Sequence, residues 1–135
     1  MINGNDDFND KSRTQLALTS KSLQSVGFIQ KFLQGYSDLK VLDLTDNKLG
    51  NRGAIEITQL IEHTQTIEVL ALRNNRIGPS GLQHICSSLT LNSTIKVLDI
   101  RDNMIQDESY KILLAMMLRN ETVQTIKYTV TNEKN

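Results

Sequence analysis

The sequence has one cysteine, one proline and no tryptophan among its 135 residues. The single cysteine, Cys86, leaves no partner for a disulfide within the chain, which fits a reducing compartment. Neither sign of charge prevails, since basic and acidic residues number fifteen each. A chain without a net positive field lacks the attraction that drives non-specific binding to nucleic acid. We therefore expect no nucleic-acid partner.

Long hydrophobic runs are also missing. No stretch approaches the roughly 18 apolar residues of a membrane-spanning helix, so no membrane contact is expected. The N-terminal segment MINGNDDFNDKS has neither the basic nor the apolar region of a secretory signal. Residues 1–12 are polar, with Phe8 as their single aromatic residue, and predict a disordered tail. Together these absences predict an intracellular, cytoplasmic protein.

What the sequence does contain is a repeat. Three stretches of 28 residues begin at Leu39, Ile67 and Ile95, and they open with LKVLDLTDNKLG, IEVLALRNNRIG and IKVLDIRDNMIQ. Self-similarity at a fixed period indicates one supersecondary unit stacked several times. The sequence therefore predicts a solenoid in which each unit contacts its neighbours.

Each unit opens with the pattern of a short strand. Leu42 and Leu44 alternate with polar residues, and a period of two places both side chains on one face of a strand. An asparagine follows where the chain must turn, and its amide can pair with backbone groups of a buried bend. We expect these asparagines to stack as a structural ladder formed by Asn47, Asn75 and Asn103.

The second half of each unit has helical spacing, as in the apolar stripe Ala54, Ile57, Leu60 and Ile61. Helices are predicted near residues 24–35, 51–63, 79–91 and 107–119, and strands near 15–19, 40–44, 68–72, 96–100 and 124–128. Predicted N-caps are Asn51, the run Gly78-Pro79-Ser80 and Asp107. Small residues near these starts, Gly53, Gly81 and Ser109, are expected to let each helix approach the sheet closely.

The repeat resembles the leucine-rich repeat family, and its 28-residue unit with a full helix resembles the ribonuclease-inhibitor-like subclass. This resemblance implies an α/β solenoid, a short right-handed arc with a parallel concave sheet and convex helices. The repeat domain would span residues 13–130, between tails at 1–12 and 131–135. It divides into a degenerate N-terminal unit (13–38), full repeats (39–66, 67–94 and 95–122) and a C-terminal capping strand (123–130).

A candidate partner-binding surface lies on the concave face, where strand residues that point away from the core form rows across the sheet. A valine strip flanked by acids and arginines suits a protein partner. Its candidate residues are Val41, Asp43, Asp46, Val69, Arg73, Asn74, Val97, Asp99, Arg101 and Asp102. The alternative is that Asp43, Arg73, Asp99 and Arg101 only pair with one another across the strands, which contributes little to stability.

A second candidate surface is the C-terminal end. The helix at residues 111–119 is apolar on every side, and the sequence predicts no later helix to cover its outer flank. Ile112, Leu114 and Leu118 are therefore expected to be exposed and to bind a partner or a second copy of the chain. The alternative is that the C-terminal tail folds back over them.

Other residues with chemical potential favour structural roles. Asn92 and Asn120 stand in glycosylation sequons, but they share the repeat position of Thr64, which indicates a requirement of the helix-to-strand turn. Cys86 is expected to be a buried thiol, and His63 and His84 do not recur as a ligand pair. Zinc-ligand spacings and nucleophile motifs are missing, so no metal, cofactor or catalytic residue is expected.

These patterns predict a non-catalytic protein–protein interaction module, a small adaptor or structural subunit of a larger intracellular assembly. A capping or cytoskeletal role is one form of this function. The alternative comes from the family resemblance, because its subclass includes GTPase-activating proteins. Arg73, Arg76 and Arg101 would then supply positive charge at a phosphoryl-transfer site.

Overall fold

The computed structural model describes residues 12–131. The predicted tails lie outside the described residues, apart from Ser12 and Thr131. Five three-residue strands form one sheet in chain order: β1 (Gln15–Ala17), β2 (Val41–Asp43), β3 (Val69–Ala71), β4 (Val97–Asp99) and β5 (Thr125–Lys127). The helices are α1 (Ile29–Leu33), α2 (Gly50–His63), α3 (Pro79–Leu89) and α4 (Tyr110–Met117), the last preceded by a 3₁₀ turn at Asp107–Ser109. Within this described part, no helix is long and apolar enough to cross a membrane.

Every neighbouring pair of strands is parallel, and equivalent repeat positions are in register, so that Leu42 lies beside Leu70 and Leu70 beside Leu98. This confirms the predicted α/β repeat solenoid. The strands are shorter than the five residues predicted, because the backbone turns soon after them. Asp46, Asn74 and Asp102 all have positive φ values of 54–60°. Aspartate and asparagine tolerate this left-handed conformation better than most residues.

The core lies between the sheet and the helices, as the two periodicities predict. Leu42, Leu70 and Leu98 on the strands and Ile57 and Ile61 on α2 have no exposed surface. Burial of such side chains stabilises a fold by about 1.5–3 kcal/mol each. Because consecutive repeats share this core, the stability of each unit depends on its neighbours.

The first helix is shorter than predicted: α1 begins at Ile29, not near residue 24. Glu56 of α2 explains this difference, because its carboxylate accepts hydrogen bonds from Val26 N at 2.6 Å and from the Ser25 hydroxyl at 2.8 Å. Because Glu56 accepts these hydrogen bonds, the donors of Ser25 and Val26 are satisfied while this segment forms a loop. The fourth helix also differs from the prediction, since its first turn is 3₁₀ and α4 proper ends at Met117.

The predicted N-cap role of Asn51 is wrong for its own helix, which begins one residue earlier at Gly50. Asn51 instead acts on the next unit. Its Oδ1 accepts hydrogen bonds from Gly78 N at 2.8 Å and Gly81 N at 3.0 Å, and so satisfies backbone donors at the start of α3. Gly78 is the N-cap residue of α3 and Pro79 its first helical residue, as predicted. Asp107 opens the 3₁₀ turn, and the cap residue there is Gln106.

Of the small residues near the helix starts, Gly81 has a different role from the predicted one. A Cβ atom added to Gly81 would lie 2.9 Å from Ala54 Cβ and 2.7 Å from Asn51 Oδ1, both on α2. A Cβ atom on Gly53 would lie 2.5 Å from Leu49 Cβ. Gly81 therefore permits close approach of α3 to α2 and not of a helix to the sheet.

The predicted asparagine ladder is present at the strand ends. Asn47, Asn75 and Asn103 are at most 4% exposed. Asn103 Oδ1 accepts hydrogen bonds from Asn75 N and Ile77 N, both at 3.0 Å, and its Nδ2 donates to carbonyls of its own and the preceding unit. Asn47 makes the equivalent bonds to the N-terminal unit. The asparagines thus link successive turns.

Asn75 is the exception in this ladder. Its Nδ2 donates to the Leu44 and Arg73 carbonyls at 2.9 and 3.1 Å. Its Oδ1 has no hydrogen-bond partner in the described part of the chain. The turns of the first two full repeats also differ, because a second positive φ angle falls on Gly50 in the first repeat and on Arg76 in the second. The three ladder residues are therefore not energetically equivalent.

A second ladder lies at the helix-to-strand turns. Asn92 Oδ1 accepts hydrogen bonds from Thr94 N and Ile95 N at 2.9 and 2.8 Å, and its Nδ2 donates to Ile61 O in the preceding repeat. Asn120 repeats these contacts, while Thr64 serves the first repeat through its hydroxyl. Both asparagines are buried. The structural role predicted for the two sequons is confirmed.

Candidate protein-binding surface

The sheet face opposite the helices, here called the concave face, carries a strip of valines. Val41, Val69 and Val97 are in register on adjacent strands, and each is half-buried. At the same position, β1 and β5 carry the polar residues Gln15 and Thr125. The valine strip is therefore bounded on both sides, and it offers dry contact area in the middle of the sheet.

Beside the strip, Arg101 and Asp99 form a two-point ion pair. Arg101 Nη2 lies 2.7 Å from Asp99 Oδ2, and Arg101 Nε donates to Asp99 Oδ1 at 2.9 Å. Burial by itself would raise the pKa of Asp99, but hydrogen bonds and positive charge from Arg101 outweigh it and hold that pKa below its ordinary value. Asp99 therefore stays ionised and keeps the guanidinium in place.

Arg73 is more exposed than Arg101. Its Nε donates to Asp102 Oδ2 at 2.7 Å, and both side chains are 47% exposed. One repeat earlier, Asn74 Nδ2 donates to Asp46 Oδ1 at 2.9 Å, also across neighbouring units. These two contacts order the polar rim of the concave face, and the groups at this rim remain accessible to a partner.

The structure thus brings the predicted concave residues onto one face, but their pairing differs from the alternative considered for them. Asp99 pairs with Arg101 along its own strand end and not across strands, and Arg73 pairs with Asp102 and not with Asp43. Asp43 Oδ1 accepts from Thr45 N at 2.9 Å. That these residues bind a partner stays a prediction.

A further row was missed by the sequence reasoning. Glu68 Oε1 lies 3.4 Å from Lys96 Nζ and 3.9 Å from Lys40 Nζ, so these residues form a charged row across three repeats. The signal was present in the sequence, since equivalent positions of successive repeats carry lysine, glutamate and lysine. Exposed pairs of this kind contribute little to stability.

The three arginines of the GTPase-regulator alternative occupy different surroundings. Arg101 is bound to Asp99 and Arg73 to Asp102, so both have carboxylate partners. Arg76 instead lines a groove at the loop between β3 and α3. These contacts do not bring the three arginines together around one position where a phosphate could bind.

At the C-terminal end, the exposed apolar surface is smaller than predicted. Leu114 is 52% exposed and Leu118 is 79% exposed. The prediction for Ile112 is wrong, because this side chain packs partly against the core. Met117 is exposed beside them, whereas Met116 is buried. Leu114, Leu118 and Met117 form a surface here called the end face.

Cys86 is buried on α3, as expected, and burial raises the pKa of its thiol to about 12. The thiol is therefore protonated and poorly nucleophilic at neutral pH. His63 and His84 are exposed on the helices. Within residues 12–131, no group of three histidine, cysteine, aspartate or glutamate side chains is placed to hold a metal ion.

The sequence matches the profile of a known family, and the fold is similar to those of solved structures. A profile of the Leucine Rich repeat family matches three segments, residues 37–57, 63–86 and 91–109. The fold is similar to the solved structure of leiomodin-1 actin-binding site 2, with a TM-score of 0.76, 19% identity and coverage of 92% of this chain and 75% of that one. It is also similar to the tropomodulin C-terminal domain of Caenorhabditis elegans, with a TM-score of 0.72, 12% identity and coverage of 93% and 78%. No curated protein sequence matches significantly.

Proposed function

The chain belongs to the leucine-rich repeat family, and from this premise we propose that it is a non-catalytic protein-binding module whose concave face binds actin. The observation that carries the proposal is the half-buried valine strip, bordered by the Asp99–Arg101 and Arg73–Asp102 pairs. An apolar centre with a polar rim is the usual anatomy of a protein interface. An adaptor or structural subunit of an intracellular assembly would use such a face.

The proposed partner is supported by the neighbours in fold. One of the similar solved structures is an actin-binding site of leiomodin-1, and the alignment covers nearly all of this chain. With a low sequence identity, this similarity concerns the fold, so actin binding is our proposal for this chain. A cytoskeletal association would follow from it. The ribonuclease-inhibitor-like subclass and the GTPase-regulator alternative stay predictions.

The end face is a second candidate surface. Leu114 on α4 and Leu118 directly after it are exposed, and β5 pairs with β4 alone among the described strands, which leaves its outer edge open. Exposed apolar side chains beside an open strand edge favour pairing with another chain. The occupant we propose is a second copy of this chain.

Charge reversal at Arg73 distinguishes the two surfaces. We expect Arg73→Glu to weaken actin binding about tenfold, since it replaces a partner-facing cation and places two carboxylates side by side. Its effect on thermal stability should be small, because an exposed pair contributes roughly 0–1 kcal/mol to folding. Arg73 is tested in preference to Arg101, because loss of Arg101 would leave the more buried Asp99 unpaired and could lower stability. Binding is measured by fluorescence anisotropy with labelled actin.

The matched variant is the double change Leu114→Lys and Leu118→Lys, which alters exposed residues of the end face only. We expect it to retain actin affinity and to lower any self-association measured by analytical ultracentrifugation. The reverse result, with actin binding lost in the leucine variant and retained in Arg73→Glu, would assign actin to the end face. Loss of folding in Arg73→Glu would place this arginine in the scaffold.

A further inference from the structure

Three cations line one groove at the edge of the sheet where strands lead into helices. Lys48 precedes α2, Arg52 lies in its first turn, and Arg76 precedes α3. Together with Gln24, Ser25 and Leu49 they enclose an open volume of about 540 Å³, here called the basic groove. The basic groove is distinct from the concave face, because its lining residues lie in loops and at the start of α2, and none of them belongs to the concave set.

The positive charge of the basic groove is not balanced by the described part of the protein. Lys48, Arg52 and Arg76 are exposed, and none of them forms an ion pair there. Among residues 12–131, the carboxylate that contacts a groove residue is that of Glu56, which accepts hydrogen bonds from the Ser25 hydroxyl and from Val26 N. On the concave face, by contrast, Arg73 and Arg101 have carboxylate partners.

The backbone that presents these cations is anchored to neighbouring units. Lys48 N donates to Leu23 O at 2.8 Å, and Gly50 N donates to Asn75 O at 2.8 Å. Arg76 is held at a φ of 60°, a conformation that costs a residue with a side chain roughly 1–2 kcal/mol. A groove whose backbone is already ordered loses little conformational freedom when it binds a ligand.

From this geometry we infer that the basic groove binds a carboxylate-rich segment of a protein partner. Arginine binds carboxylates through two parallel hydrogen bonds, and lysine adds a point charge. Nucleic acid suits the groove less well, because no aromatic side chain lines it for base stacking and the chain has no net positive charge. This inference does not depend on actin or on the concave face.

The test uses the full chain and a fluorescein-labelled decaglutamate peptide, with binding followed by fluorescence anisotropy. Wild type should bind saturably, and added salt should weaken the complex. The triple variant Lys48→Glu, Arg52→Glu and Arg76→Glu should lose affinity at least about tenfold. The control is Lys31→Glu, Lys111→Glu and Arg119→Glu, which gives the same change in net charge at exposed residues outside the groove. It should keep most of the affinity.

A second variant separates binding from folding. Glycine adopts positive φ readily, so Arg76→Gly should retain the wild-type melting temperature and still lose peptide affinity at least about threefold. Equal losses in the groove variant and the control would overturn the inference in favour of a net-charge effect. It would also be overturned if wild type fails to bind the peptide, or binds a single-stranded RNA oligonucleotide more tightly through the same three residues.

Discussion

Replacing Asn103 by alanine is expected to destabilise the protein by about 2–6 kcal/mol, since two buried amides each lose a partner at roughly 1–3 kcal/mol. These are the amides of Asn75 and Ile77, whose N–H groups both donate to Asn103 Oδ1. The change also removes the donor to Leu72 O and Ile100 O. For a domain of this size, the melting temperature should fall by roughly 10 °C or more.

The same substitution at two neighbouring positions provides the control. Asn75→Ala should cost less, because Asn75 Oδ1 has no partner within residues 12–131 and the variant loses only the two bonds donated by Nδ2. Asn74→Ala should still cost least, since its side chain is exposed and contacts Asp46, and the main cost is roughly 1–2 kcal/mol for alanine at the positive φ of this residue. Urea unfolding of the three variants measures this order. Equal midpoints would show that the turns do not depend on the amides.

Gly81→Ala is expected to destabilise the protein, although alanine is the better helix former by roughly 1 kcal/mol. The added methyl group would lie within 3.0 Å of Asn51 Oδ1, Ala54 Cβ and Ile77 Cγ2. Such overpacking costs about 1–3 kcal/mol. The added methyl group would also displace the side-chain amide of Asn51, which accepts hydrogen bonds from the backbone at the start of α3. We expect a net loss of about 1–3 kcal/mol.

Gly27→Ala is the matched control for this change. The added Cβ would meet Ser25 Oγ at 3.7 Å, which is ordinary van der Waals contact, and the backbone there has no positive φ. The variant should therefore be as stable as wild type or slightly more so. Differential scanning calorimetry compares the two. A melting temperature of Gly81→Ala at or above that of wild type would mean that α2 and α3 are not in the close contact described.

Much of this fold follows from the sequence because the stabilising contacts recur. The spacing of Leu42 and Leu44, repeated at 28 residues, is enough to predict the strands, their parallel order and the core side of the sheet. The helix starts were less predictable, since Asn51 acts on the unit after its own. Local capping patterns describe contacts within one segment and miss such contacts between units.

The sequence likewise predicts some features of the binding surfaces and not others. The rows on the concave face follow from the period of two and the register of the repeats. The ion pairs do not, because Arg73 reaches Asp102 in the turn that follows the next strand, and this depends on side-chain direction. The basic groove was missed, although Lys48 and Arg76 occupy the same position of successive repeats, because the repeat pattern does not show that Arg52, in the first turn of α2, lines the same groove.

The decisive experiment for concave-face binding is methyl nuclear magnetic resonance of the chain labelled at valine and leucine, with and without polymerisation-blocked actin. We expect actin to shift or broaden the methyl signals of Val41, Val69 and Val97. The signals of Leu91 and Leu118, which are 89% and 79% exposed away from the valine strip, should stay unchanged. Changes confined to Leu114 and Leu118, or no change in any methyl signal, would contradict actin binding by the concave face.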